Sequence, residues 1–218
     1  IKKRKKTPIL VGGTGLYFKA LTDGLVKIPN ISIKKRNQII RLQKKLGQKK
    51  FYQQLIKIDP LIKNKINSND IQRSVRAYEI KKFTKKSIVK WFEETLIFFE
   101  PNSFLKIYLD FPRDDLILKI NKRVDKMFNN GAIKEVKKFN KLKVKRDYSP
   151  NKIIGIKEIT NLIKGKSNLQ QTKEQISIKT RQYAKRQSTW YRGHMQSWQR
   201  IEPKNIKISL NKFLNINY

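Results

Sequence analysis

The sequence contains no cysteine and only one histidine, His194. Without cysteine, disulfides, thiol catalysis and cysteine-based zinc sites are excluded. A single histidine argues against a histidine-based metal site and against a Ser-His-Asp triad. No apolar run approaches the ~18 residues that a membrane-spanning helix needs, and the basic start, IKKRKKTPIL, lacks a signal-peptide core. We therefore expect a cytoplasmic protein that does not enter a membrane.

Acidic residues are also scarce, because 16 Asp+Glu stand against 52 Lys+Arg and the formal net charge is +36. So much like charge repels itself, and a polyanionic partner would relieve the repulsion. Nucleic acid is the first partner to consider, since neutralised phosphates release counterions. An A/T-rich genome would explain much of the lysine excess, but it does not explain arginines in clusters.

The chain reads as two α/β pieces with a helical insertion between them. Residues 8–28 predict a strand, a tight turn and a helix. Residues 104–113 predict a buried strand ended by Pro112, and amphipathic helices follow, the last running over 172–195. The tail from Trp198 predicts a final strand or loop.

The intervening residues 31–103 read as all-helical. Ser32 can cap a helix that Gly47 is placed to end. Two further short helices follow, split at Pro60. The NSND segment, residues 67–70, is a start signal for another helix, with its third or fourth residue as the cap.

The glycine-rich turn in PILVGGTGLYFKAL, residues 8–21, raises the question of phosphate binding. It lacks the Gly-Lys-Ser/Thr of a Walker A loop, and Phe18 stands where the dinucleotide fingerprint has its third glycine. The turn still presents backbone N–H groups at a helix start, which favours anions, and Thr14 adds a hydroxyl. The alternative is a tight turn with Thr14 as helix N-cap, and geometry alone favours that alternative.

Two helical segments carry arginines in patterns that suit RNA. In NDIQRSVRAYEI, Gln72, Arg76 and Glu79 share a predicted polar face, and Arg73 lies next to it. Arginine forks onto phosphates in a bidentate manner. The alternative for each arginine is a solvated helix face.

The segment TRQYAKRQSTWYRGHM is the most informative. At about 100° per residue, one stripe carries Arg181, Lys185, Ser188 and Arg192, and a second carries Tyr183, Arg186 and Trp190. A cationic stripe beside aromatic side chains suits RNA, because charge holds the backbone and flat groups stack on unpaired bases. The aromatic residues could instead pack in the core while the basic stripe still binds RNA.

The segment PRDDLILKINKRVDKM places Arg113, Lys119 and Arg123 ahead of Asp125. A cation here could face a phosphate, or the helix could be laced by local salt bridges. Spacing alone does not choose between the two.

Taken together, these segments resemble the bacterial tRNA dimethylallyltransferase family, also called tRNA isopentenyltransferases. The matching stretches are PILVGGTGLYFKAL, NDIQRSVRAYEI, PRDDLILKINKRVDKMFNNGAIKEV, IIGIKEI and TRQYAKRQSTWYR, in the family's order and at its spacings. The resemblance runs from about Pro8 to Trp198.

The resemblance implies transfer of a dimethylallyl group from dimethylallyl diphosphate to N6 of adenosine 37 of tRNA. It implies an α/β fold, here an incomplete P-loop-type parallel sheet core formed by 1–30 and 104–218, with C-terminal helices. The all-helical insertion 31–103 would bind the anticodon stem-loop. The target base would be flipped into a channel, as enzymes that act on bases do.

The resemblance also implies tRNA contacts at the glycine turn, in the insertion and in two basic segments near the end. These positions are Thr14, Arg36, Gln72, Arg73, Ser74, Val75, Arg76, Lys152, Gly155, Lys157, Lys185, Arg186, Gln187, Ser188, Thr189, Trp190, Tyr191 and Arg192. Arg123 would face the diphosphate.

Several family features do not occur in these residues. The family's P-loop and the Asp-Ser-x-Gln segment, whose Asp is the general base, are absent, so Mg²⁺ is implied without ligands in this chain. Smaller departures are Ile156, where the family usually has Tyr, and Lys85, where Gly is common. We therefore expect an N-terminally truncated, monomeric form that is inactive unless joined to the missing segment. The alternative is a non-catalytic tRNA- or RNA-binding module.

Overall fold

The computed structural model describes residues 1–145 and 148–215. The chain divides into two compact units. One, called here the split unit, comprises Ile1–Gly15 and the chain from Leu105 onward; the other, the helical unit, is Leu16–Phe104. The helical unit thus begins earlier than the predicted insertion. The predicted range 104–218 includes positions 146, 147 and 216–218, which lie outside the described residues.

The helical unit is built from four α-helices and two short 3-10 turns. They are α1 (Gly15–Thr22), α2 (Ile33–Ile58), the turn Pro60–Ile62, α3 (Ile71–Thr84), α4 (Ile88–Glu93) and the turn Pro101–Ser103. Ser32 caps α2 by accepting from the Lys35 amide at 3.4 Å, and Asp70 caps α3 by accepting from the Arg73 amide at 3.0 Å. Both predicted caps are confirmed, because each oxygen satisfies an amide that has no partner within its helix.

Gly47 interrupts α2 rather than ending the helical segment. Its φ of 73° breaks the hydrogen-bond ladder, and helix resumes to Ile58. Glycine adopts this conformation without the steric cost of a Cβ. The first of the two short helices predicted around Pro60 is therefore the second half of α2. The second is only the 3-10 turn, so that prediction was wrong.

The core of the helical unit lies between α2 and α3. Phe51, Leu55, Ile62, Ala77 and Ile80 are fully buried in it. Burying a side chain as large as Phe or Leu stabilises a fold by about 1.5–3 kcal/mol. This packing fixes the two helices that carry the predicted arginines.

The split unit combines a small parallel sheet with five helices among its described residues. In chain order they are β1 (Ile107–Leu109), α5 (Arg113–Asn129), α6 (Ala132–Lys141), α7 (Ile156–Ile163), α8 (Leu169–His194), β2 (Gln199–Ile201) and α9 (Ile206–Asn215). β1 pairs in parallel with β2, with Ile107 opposite Gln199 and Leu109 opposite Ile201. β2 confirms a strand in the tail after Trp198.

The strand predicted in residues 8–11 does not form. These residues have no strand partner within the described part of the chain, and Ile9 and Val11 are 82% and 92% exposed. A strand is stabilised by hydrogen bonds to a neighbouring strand, and none pairs with this segment among the described residues. The strand predicted over 104–113 is also shorter than expected, because only the residues of β1 are paired with another strand. Leu109 in β1 is 42% exposed rather than buried.

A second core holds the helices of the split unit together. Val124 of α5, Ala132 and Val136 of α6, Ile159 of α7 and Ile176 of α8 form its buried cluster. α8 is thereby anchored through its first half. No helix in the described ranges is both long enough and apolar enough to cross a membrane.

Candidate nucleic-acid interface

The glycine turn packs directly on α8, so two segments far apart in sequence meet within the split unit. The Gln187 side-chain amide donates to the carbonyl of Gly13 at 3.0 Å. The Trp190 indole covers Gly15 so closely that an added Cβ would lie 2.0 Å from its Cδ1 atom. Gly15 is therefore required by close approach.

The turn itself remains open to solvent. Thr14 is exposed, and α1 begins at the next residue. Among the described residues, no hydrogen bond joins the Thr14 side chain to the amides of α1, so the predicted alternative of an N-cap is not what the structure shows. The hydroxyl lies on the surface beside the turn's backbone.

The last turns of α8 expose the predicted cations. Lys185, Arg186 and Arg192 are exposed, and within the described ranges none of them is paired with a carboxylate. The Arg186 guanidinium lies 5.6 Å from the Tyr183 ring centroid, and Tyr183 is itself 44% exposed. Thr189, also exposed, turns its hydroxyl back to the Lys185 carbonyl at 2.9 Å. This face has a net positive charge and an available aromatic ring.

Other residues of the same segment hold α8 in place. Tyr191 stacks on Tyr108 of β1 with ring centroids 3.4 Å apart, and the Tyr108 hydroxyl meets the Ser188 hydroxyl at 3.4 Å. Trp190 stacks on His194 at 4.0 Å. Ser188, Trp190 and Tyr191 are thus half-buried. The second predicted stripe divides: Tyr183 is exposed, whereas Trp190 packs.

A buried glutamate organises the predicted segment 152–157. The Gly155 amide donates to Glu158 Oε2 at 2.8 Å, and Gly155 has a φ of +107° that favours glycine. Lys179 of α8 pairs with the other oxygen. Burial alone would raise the pKa of Glu158, but the bonds from Lys179 and Gly155 outweigh it and lower the pKa. Lys152 and Lys157 remain exposed.

In the helical unit, Arg36 of α2 and Arg76 of α3 meet on one carboxylate. Arg36 donates to Glu79 through Nε and Nη2 at 3.3 Å, and Arg76 donates through Nη1 at 2.9 Å. The Glu79 side chain is 1% exposed. Its predicted place on a polar surface face with Gln72 was therefore wrong; Gln72 is exposed and Glu79 is buried. The buried carboxylate is thus paired with two cations.

The remaining residues of the QRSVR segment occupy different environments. Ser74 is fully buried, and its hydroxyl accepts from the Gln48 side-chain amide at 3.2 Å. Val75 is half-buried against the core. Arg73 is exposed and pairs with the capping Asp70 at 3.0 Å. Ser74 therefore faces the interior of the unit, not the solvent.

Arg123 lies exposed on α5, in the split unit. Asp125, its nearest acidic neighbour in sequence, accepts from Lys173 of α8 at 2.8 Å instead. Lys119 lies over the Phe111 ring at 4.4 Å. Local salt bridges along α5 thus do not account for Arg123, which makes no ion pair within the described ranges.

Sequence reasoning missed the structural roles of Glu79 and Glu158. Glu158 follows Gly155 by three residues at a helix start, which is the spacing of a capping box, and that signal could have found it. Glu79 stands between Tyr78 and Ile80, both buried. The signal that could have found Glu79 is an acidic residue between apolar ones in a chain with few acidic residues.

The resemblance implied magnesium, whose ligands in proteins are mostly carboxylate and other oxygen atoms. Among the described residues, no three His, Asp or Glu side chains lie close enough to hold a metal ion. The sequence contains one Gly-Lys-Ser, at 165–167, but Thr160 stands where a phosphate loop needs its first glycine. In the structure these residues form the turn between α7 and α8.

Comparison with known proteins gives a consistent picture. A family model described as IPP transferase matches residues 1–194. A tRNA dimethylallyltransferase of Pelagibacter ubique is 55% identical over 203 residues, covering 93% of this chain and 65% of the relative. One of Rickettsia massiliae is 40% identical over 209 residues, covering 94% of this chain and 57% of the relative. The chain thus spans less than two thirds of either relative.

Solved structures support the fold. The tRNA isopentenylpyrophosphate transferase of Bacillus halodurans superposes with a TM-score of 0.59 at 29% identity, over 99% of this chain and 68% of that one. A eukaryotic dimethylallyltransferase acting on tRNA gives 0.68 at 30% identity, over 88% of this chain and 48% of that one. The α/β fold class, with an incomplete P-loop-type parallel core and a helical insertion, is confirmed.

Proposed function

This chain belongs to the IPP transferase family, and on that premise we propose that it takes part in transferring a dimethylallyl group to tRNA. The group comes from dimethylallyl diphosphate and the acceptor is N6 of adenosine 37. The observation that carries the proposal is the packing of the glycine turn on α8, where Gln187 and Trp190 hold Gly13 and Gly15. That contact brings the two motifs of the family resemblance to one place.

The exposed cations of α8 supply the RNA side of this function. Lys185, Arg186 and Arg192 face solvent without counter-carboxylates among the described residues, so phosphates can neutralise them. Tyr183 offers a ring beside Arg186 for stacking. We propose that this face binds the anticodon stem-loop and that Thr14 contacts the RNA next to the reacting base.

In the proposed reaction, the adenosine N6 attacks the first carbon of the dimethylallyl group. The carbon–oxygen bond to diphosphate breaks, and a base takes the N6 proton. Arg123, exposed and without an ion pair in the described part of the chain, is our candidate for the cation that faces the diphosphate. Neither a Gly-x-x-x-x-Gly-Lys-Ser/Thr pattern nor an Asp-Ser-x-Gln segment occurs in these 218 residues, so we propose that the chain's own contribution is binding and orientation. We place this function in the cytoplasm, in a monomer.

The first test is transfer itself. We expect these 218 residues to transfer no dimethylallyl group alone. We expect transfer when the part of the Pelagibacter relative that this chain does not match is supplied in trans, measured with labelled dimethylallyl diphosphate and tRNA. Turnover by the 218 residues alone would overturn the proposed division of labour. Tight tRNA binding without turnover in either case would favour the alternative, a non-catalytic RNA-binding module.

The second test is RNA binding. We expect the double variant Arg186→Ala/Arg192→Ala to bind an anticodon stem-loop about tenfold more weakly at low salt, with a salt slope lower by about two. The matched control, Lys134→Ala/Lys138→Ala, removes the same charge from the exposed side of α6. Equal loss in both double variants would show that only net charge matters and would remove α8 as the RNA face.

A further inference from the structure

Glu79 is shared by two arginines from different helices. Both of its oxygens accept from Arg36 Nε at 3.3 Å, and Oε1 also accepts from Arg76 Nη1 at 2.9 Å. The Glu79 side chain is 1% exposed, whereas the side chains of Arg36 and Arg76 are 47% and 37% exposed. The acid is therefore buried inside the helical unit, while both arginine side chains reach its surface.

The charges of this cluster do not balance. One carboxylate faces two guanidinium groups, which leaves one positive charge in excess. The ion pairs Arg73–Asp70 and Lys90–Glu93 of the same unit, by contrast, each join one acid to one base. Glu79 therefore leaves part of the positive charge of these two half-exposed side chains available to a second anion.

The two guanidinium groups retain donors that Glu79 does not use. A guanidinium has more N–H groups than the bonds made here, and within the described ranges neither arginine has another acceptor. Held on one carboxylate, the two forks cannot rotate freely. Fixing donors before binding lowers the entropy cost of ordering them on a ligand.

We propose that Glu79 is a positioning residue for RNA binding: it orients the guanidinium groups of Arg36 and Arg76, which the family resemblance already implies as tRNA contacts, toward a phosphate of the RNA backbone. The phosphate supplies the missing negative charge and accepts from both guanidinium groups, a geometry that suits arginine forks. Glu79 does not touch the RNA. This inference rests on the proposed function, because it takes RNA as the ligand.

The variant Glu79→Gln tests the proposal, because a positioning role and a simple net-charge effect predict opposite changes in RNA affinity. The substitution removes a negative charge beside an RNA-binding surface, so a role through net charge predicts tighter binding. If Glu79 positions the arginines, binding weakens, since a neutral amide loses the charge-assisted bonds and has one acceptor oxygen instead of two. We expect affinity for an RNA stem-loop to fall about tenfold, the loss that one charge-assisted hydrogen bond represents. Equal or tighter binding by Glu79→Gln would overturn the inference.

The matched control is Glu93→Gln. It makes the same chemical change in the same unit, at an exposed one-to-one pair with Lys90. Removing a surface negative charge there should leave RNA binding unchanged or slightly tighter. A tenfold loss in this control would mean that any Glu-to-Gln change in the unit weakens binding, which contradicts a specific role for Glu79.

If Glu79→Gln does not fold, the variant Arg36→Lys tests whether RNA binding needs the guanidinium geometry. It keeps the charge of a half-exposed side chain but loses the fork, so we expect a loss of binding close to that of Arg36→Ala. Binding equal to the parent chain would overturn the inference.

All measurements use the full 218-residue chain and the same stem-loop. No binding by the parent chain would overturn the proposed function as well, whereas parent binding that is insensitive to Glu79 and Arg36 overturns only this inference.

Discussion

Each unit of the molecule buries one glutamate, and the two are used differently. Glu158 in the split unit accepts from one lysine and one backbone amide, so its charge is balanced by Lys179. Glu79 in the helical unit accepts from two arginines, so its cluster has a positive charge to spare. The balanced cluster needs nothing more and stabilises the fold. The unbalanced cluster is the one that we propose an anion completes.

The largest effect that we expect on stability is at Glu158. Glu158→Gln replaces the buried carboxylate by a neutral amide with a single acceptor oxygen, so Lys179 and Gly155 no longer both donate to a charged group. We expect the free energy of unfolding to fall by about 3 kcal/mol at neutral pH, as for a broken buried ion pair. Urea unfolding measures this, with Glu174→Gln, an exposed glutamate on α8, as control. A loss below that of the control would contradict the structural role.

The pH dependence of this loss follows from the lowered pKa. Because the pKa of Glu158 is lower in the folded protein than its ordinary 4.5, its contribution is fully present above that value. It is lost as pH falls through the folded-state pKa. The difference between parent and Glu158→Gln should therefore shrink on acidification. If the difference in unfolding free energy between the parent chain and Glu158→Gln grew at low pH, the pKa of Glu158 would be raised in the folded protein, not lowered.

The next largest effect on the free energy of unfolding concerns the glycine turn, where one glycine packs against a rigid ring and another against a flexible side chain. Gly15→Ala would place a Cβ against the Trp190 indole, whereas Gly13→Ala would meet only the end of the Gln187 side chain. We expect Gly15→Ala to lower the free energy of unfolding by about 2 kcal/mol through overpacking. Gly13→Ala should change it by less than about 0.5 kcal/mol. If urea unfolding gave the same loss for both variants, the Trp190 side chain would move aside as easily as the Gln187 side chain, contrary to our expectation.

The smallest effect tests whether the arginine pair depends on helix stability. α3, which carries Arg76 and Glu79, ends at Lys85 with a φ of +61°, a conformation that costs a side-chain residue about 1 kcal/mol. Lys85→Gly should raise the free energy of unfolding by about 1 kcal/mol. Lys82→Gly, inside the same helix, should lower it by about as much.

Binding should separate from stability in these two variants. Each removes one surface lysine, so their RNA affinities should be alike although their stabilities differ. Affinity that follows stability would mean that Glu79 acts only by stabilising the helix.

Local signals in the sequence predicted the helices well. Ser32 and Asp70 cap helices where their side chains indicated, since capping depends only on the next few residues. Gly47 was rightly identified as a break. The family's preference for glycine at position 85 agrees with the left-handed backbone found there.

Features that depend on distant partners could not be predicted in the same way. Ile9 and Val11 read as strand because they are apolar, but pairing requires a neighbour that periodicity does not reveal. Glu79 was placed on a polar face because helical spacing does not show that Arg36, 43 positions away, reaches it. The contact of Trp190 with Gly15 likewise joins the two ends of the split unit.

The pairing of β1 with β2 has a consequence for the order in which the chain folds during synthesis. The helical unit is complete once Phe104 has left the ribosome, and its contacts are between neighbouring helices. The split unit waits for Gln199–Ile201, because β1 has no other strand partner within the described ranges. Contacts between distant segments form slowly. We therefore expect a nascent chain with its insertion already folded while β1 and the glycine turn still lack their final neighbours.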